Sequence, residues 1–183
     1  MWPNTAMAKK NKGIPTAADP KEIFELAEAF CKASRKLDPG TPGTEIDIFR
    51  PQISEWVPGV TLEAFSLELY FKCLLRIDGH VITREHDYRR LYNPLGVVRQ
   101  ATITKYFKEF AKASSTVAVI RARKPPAPYD PDNIDSVIDF SKDAFESFRY
   151  IYEPEKAKTS NYVAADVRQA IRKLILELNP NWV

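Results

Sequence analysis

The chain has 183 residues, of which 44% are apolar and 28% charged, with a formal net charge of +3. These are globular proportions, and the length allows one helical domain with a real core. So small a net charge excludes bulk electrostatics as an argument for nucleic acid. The distribution says more. Residues 99–124 hold seven basic side chains against Glu109 alone, and residues 130–155 hold eight acids against Lys142 and Arg149. Two adjacent segments of opposite sign can pair with each other or each face a partner; mutual pairing and solvation is the favoured reading.

In chain order, residues 1–18 lack periodicity and read as a mobile tail, and residues 19–183 as a single domain. Asp19-Pro20 supplies an N-cap and a first-turn proline for a helix whose inner face is Ile23, Ala27, Phe30, Ser34 and Leu37. Pro39, Gly40, Pro42 and Gly43 stop it. Residues 44–60 read as short and irregular or extended, with alternation over Ile46 and Ile48, two prolines at 51 and 58, and Trp56 plugging the core edge.

Thr61 is expected to cap the central helix, TLEAFSLELYFKCLLR, and Gly79 to end it. This helix is apolar on most sides, with a narrow polar stripe at Glu68, Lys72 and Arg76, so the others are expected to surround it. The charges that interrupt it argue against a bilayer span. Thr83 or Arg84 opens a short helix to Asn93-Pro94, with Tyr88 or Leu91 and Tyr92 inward. The next, Gly96 to Ala113, carries Val97, Ala101, Ile103, Phe107 and Phe110 as its apolar stripe. Residues 116–120 read as a turn of helix or an extended edge, and residues 121–131 as a proline-rich loop.

Asp130 or Asp132 is expected to cap a long helix reaching Tyr152, with Ile134, Val137, Ile138, Ser141, Phe145, Phe148 and Tyr152 on one face. A last helix opens at Ser160 or Asn161, with Val163, Val167, Ala170 or Ile171, Leu174 and Leu178 in line, and stops at Asn179-Pro180. The fold class is therefore all-α, a bundle of five or six helices. Cys31 and Cys73 sit in apolar helical contexts and read as core thiols, which suits a reducing cytoplasm. No secretory apolar stretch opens the chain.

No glycine-rich phosphate loop, zinc spacing or nucleophile elbow is present, so no metal or cofactor is expected. What remains is a polar set: Glu68, Lys72, His86, Asp87, Arg149, Tyr150 and Glu153. Glu68 and Lys72 share a helix face four residues apart. His86 and Asp87 open a helix, where Asp can cap. A packing network of paired charges is the favoured reading over a catalytic site. Arg149-Tyr150 also has the chemistry to meet a phosphate and a base. Arg121, Arg123 and Lys124 are candidates for a nucleic-acid surface.

Three stretches stand in the order seen in the HEPN superfamily: AFSLELYFKCLLRIDG, REHDYRRLY and AFESFRYIYE, spanning Ala64 to Glu153. The first resembles that family's second helix, the second the His-Asp start of its next segment, the third a later helix ending in Arg-Tyr. The resemblance implies a HEPN-like helical bundle, often dimeric, so a homodimer is expected. Family members are either metal-independent RNases of toxin–antitoxin and phage-defence systems or non-catalytic binding modules. In the RNases an Arg holds the phosphate and a His, separated from it by four to six intervening residues, moves a proton, letting the RNA 2′-OH attack phosphorus; Arg76 is one residue too close to His80 to fit. Here the positions that would hold that Arg are Cys73, Leu74 and Leu75 for His80, and Gly79, His80 and Val81 for His86. Arg149 is followed by no His. The expected function is thus a non-catalytic binding or regulatory module for RNA, a nucleotide or a cognate protein. The alternatives are a divergent metal-independent RNase using His86 and Arg149, and a homodimeric scaffold.

Overall fold

The computed structural model describes residues 18–37, 56–82, 84–122, 129–153 and 164–182. The expected tail, the extended piece at Ile46 and Ile48, the Trp56 side chain, Thr83, Arg123, Lys124 and the helix start at Ser160 or Asn161 lie outside the described residues.

Those residues are all-helical: α1 (Pro20–Leu37), α2 (Trp56–Ile77), α3 (Tyr88–Tyr92), α4 (Val97–Ala113), α5 (Ser115–Ala122), α6 (Ile134–Ser141), α7 (Ala144–Arg149) and α8 (Ala165–Leu178), then a 3-10 turn, Pro180–Trp182. None of them is long and apolar enough to cross a membrane. As its composition requires, α2 is the centre. Ala64, Leu67, Tyr70, Phe71, Cys73 and Leu74 are wholly buried on it. The packing partners α1, α3, α7 and α8 all meet it, and α4 lies on α8.

α2 begins five residues before the expected Thr61 cap. Pro58 falls in its first turn, where a missing N–H leaves no bond unmade, so the proline does not delay the helix. Thr61 is therefore inside, its hydroxyl donating to Val57 O at 2.7 Å. The far end is as expected. Gly79 has φ +84°, its N–H donates to Arg76 O (3.1 Å), and His80 N–H reaches back to Leu75 O (2.9 Å). That reversed pair of bonds closes the last turn around a left-handed residue.

Other expectations change. The long helix to Tyr152 is two helices, because Lys142 O accepts the backbone N–H of Tyr88 (3.0 Å) and α6 ends there. Its cap is Asn133, which accepts from Asp135 N (2.9 Å) and Ser136 N (3.4 Å), rather than Asp130 or Asp132. Tyr152, past the end of α7, is 72% exposed. On α4 the buried face is Ile103, Tyr106, Phe107 and Ala111, while Val97 is 82% exposed and Ala101 lies on the outer side. Residues 116–120 take the helical option, within α5. Leu37 and Leu178, at two helix ends, are also exposed.

Cys31 and Cys73 are buried free thiols. Burial pushes the Cys73 thiol up to about 12, and its Sγ donates to Pro20 O.

Candidate functional site

The site is built on the fourth turn of α2. Glu68 is wholly buried there. Its two carboxylate oxygens have separate partners: Lys72 Nζ at 2.7 Å from Oε1, one turn along, and His86 Nδ1 at 2.9 Å from Oε2. A carboxylate only accepts, so Nδ1 carries the hydrogen and Nε2 is left as the free ring nitrogen. The His86 side chain is 39% exposed, which leaves that edge within reach of solvent.

The segment before α3 holds His86 in place. The Glu85 carboxylate accepts the backbone N–H groups of Asp87 and His86, each at 3.0 Å, and these bonds keep its pKa below the usual carboxylate range. Asp87 is the N-cap of α3, accepting from Arg89 N (2.7 Å) and Arg90 N (3.2 Å). Its role is thus to start the helix. Asp87→Ala is expected to cost about 1 kcal/mol, the usual worth of such a cap, read as a lower urea midpoint. An unchanged midpoint would mean that α3 does not depend on the cap.

Next to His86 stands an aromatic ladder. Phe30 of α1 meets Phe65 of α2 edge-on (4.7 Å between centroids), and Phe65 stacks on Phe145 of α7 (4.5 Å, 20°). The outer rung, Phe145, carries both remaining candidates: the His86 ring at 5.7 Å and the Arg149 guanidinium at 5.3 Å from its centroid. Arg149 is also 5.3 Å from the Tyr150 ring, and Tyr150 meets Tyr152 at 6.3 Å. Arg149 is exposed, and no carboxylate among the described residues pairs with it. Stacking leaves the in-plane N–H groups of a guanidinium available to an anion.

The seven expected residues therefore divide. Glu68, Lys72 and His86 form one hydrogen-bonded unit, Arg149 joins it through Phe145, and Tyr150 lies beside Arg149. Asp87 is a cap, and Glu153 takes part only by its backbone N–H, donated to Tyr150 O at 2.9 Å. Among the surface candidates, Arg121 is engaged: its Nε lies 3.0 Å from Asp132, whose carboxyl it holds below the usual range. That pair joins the basic and acidic segments. Asp135 and Asp139 instead take Arg89 of α3 (2.6 and 2.7 Å), and Arg99 takes Asp78 (2.9 Å). Mutual pairing of the two segments is thus partial.

Sequence reasoning missed a second network, between α1 and α8. Glu28 accepts from Tyr70 Oη and from Arg172 Nε, both at 2.5 Å. The buried Arg168 donates to Glu63 (3.3 Å) and to Cys31 Sγ (2.9 Å). The partners lie far apart in the chain, and no local spacing announces them. Among the described residues, no group of three or more His, Cys, Asp and Glu side chains could hold a metal ion.

Comparisons with protein-family models, with curated proteins and with solved structures give no match to this chain.

Proposed function

We propose that this chain is a HEPN-like helical module that binds single-stranded RNA on the face formed by Phe145, Arg149, Tyr150 and Tyr152, without cleaving it. The observation that carries this reading is Arg149: exposed, laid against two rings, and without a carboxylate partner among the described residues. A guanidinium so placed offers donors to a phosphate, and the neighbouring tyrosines offer flat faces to unstacked bases. Glu68 supports the non-catalytic half of the reading. With Lys72 and His86 on its two oxygens it is a closed, mutually satisfied group, as a packing network requires. The homodimer, and a defence or toxin–antitoxin setting, belong to the same proposal and rest on the resemblance alone.

One observation favours a second reading. His86 has its tautomer fixed by a buried carboxylate and shares the Phe145 ring with Arg149, an arrangement that could serve as proton carrier and phosphate holder of a divergent RNase. One experiment separates the two. Mixed-sequence RNA is incubated with the protein in EDTA, and both retention and cleavage are followed. The binding module retains intact RNA, and Arg149→Ala weakens retention by about tenfold with an unchanged melting temperature. Retention indifferent to Arg149→Ala would sink the binding face. Cleavage lost in His86→Ala would replace it with the nuclease.

A further inference from the structure

A cavity of about 650 Å³ opens between α1 and α8, away from the Phe145 ladder, with Phe110 of α4 in its wall. That volume suits a ligand of small-metabolite size. Four cations line it: Arg35 from α1, and Arg168, Arg172 and Lys173 from α8. Two carboxylates, Glu28 and Glu177, face them.

Both carboxylates are already served. Glu28 has the Tyr70 hydroxyl and Arg172; burial alone would raise its pKa, but those bonds outweigh it and hold the group below the usual range. Glu177 accepts the Tyr106 hydroxyl. Arg168 is committed to Glu63 and Cys31, and Lys173 to Glu109 at 2.9 Å. One cation unpaired among the described residues, Arg35, and the spare donors of Arg172, whose charge Glu28 already balances, are left over. Arg35 is exposed and has no acidic partner among the described residues. Arg172 engages Glu28 through Nε and Nη2, leaving the Nη1 donors. The lining also includes apolar side chains, Phe110 of α4 and Leu176, one turn beyond Arg172 on α8. Lys173 Nζ sits 3.9 Å from the centre of the Tyr106 ring, a cation laid on an aromatic wall.

We propose that this cavity binds a small phosphorylated ligand of mononucleotide size, its phosphate against Arg35 and Arg172 and its flat body against Phe110 and Leu176. The guanidinium forks suit phosphate oxygens, and an apolar wall suits a base or a comparable ring. The site is separate from the RNA face and does not depend on it.

The test is thermal unfolding of the full chain with AMP at millimolar concentration. AMP is expected to raise the melting temperature by about 3 °C at roughly ten times its dissociation constant. Arg35→Glu, at an exposed position with no acidic partner among the described residues, should abolish the shift while leaving the ligand-free melting temperature in place. Arg149→Ala should preserve it, which keeps this site distinct from the RNA face. No shift with AMP, or a full shift in Arg35→Glu, would overturn the proposal. An equal shift with inorganic phosphate alone would overturn the assignment of a mononucleotide.

Discussion

Glu68→Ala is expected to destabilise the chain by about 3–5 kcal/mol, the range for removing one member of a buried charge pair. The substitution strips Lys72 Nζ and His86 Nδ1 of their acceptor together, and the Lys72 side chain is only 12% exposed. A cation so enclosed cannot simply turn to water. Urea unfolding checks it, with the melting temperature dropping by roughly 10 °C. Glu68→Gln keeps the shape and one acceptor oxygen, so it should fall between the parent and the alanine variant. His86→Ala should cost much less, since its ring is partly in solvent and Lys72 still holds the carboxylate. A loss under about 1 kcal/mol for Glu68→Ala would mean that water reaches Lys72 and that the unit is peripheral to stability.

A loss of similar size, about 3–5 kcal/mol, is expected for Phe71→Ala, from the transfer and cavity costs of deleting a buried aromatic ring. Phe71 is wholly buried, and its ring lies 5.9 Å from that of Tyr88 and 6.3 Å from that of Tyr92. It packs α3 against α2, beside the hydrogen bond of Tyr88 to α2. The variant should therefore also loosen the residues just before α3, including His86. Denaturant titration gives the magnitude. Amide exchange at Arg89 to Tyr92 tells whether α3 frays before the rest. A fully protected α3 in a merely destabilised protein would show that Tyr88, whose hydroxyl donates to Ala64 O at 2.8 Å, holds it without help from Phe71.

The central position of α2 was legible because apolar residues fall on nearly every side of it, and its end because Gly79 needs only a local left-handed turn. The Glu68–Lys72 pair was legible for the same reason: it is a spacing within one helix. What escaped depends on contacts from elsewhere in the chain. The break between α6 and α7 is made by the Tyr88 backbone, and no residue at 142–143 is itself a helix breaker. Val97 looks like a core residue by type, yet it stands at the first position of α4, ahead of the face that meets α8. The early start of α2 was missed by treating Pro58 as a barrier, when a proline in a first turn is harmless. Arg168 and Arg172 read as ordinary polar positions of an amphipathic helix until α1 is laid beside them.

The double occupancy of Glu68 also bears on how this chain can drift. A substitution at Lys72 or His86 leaves the buried carboxylate one donor, and the protein persists in weakened form. A substitution at Glu68 first strands two groups at once. The routes by which the three positions can change are therefore not equivalent in order. The carboxylate is the last of the three that can be surrendered, and its effect depends on the background in which it is lost.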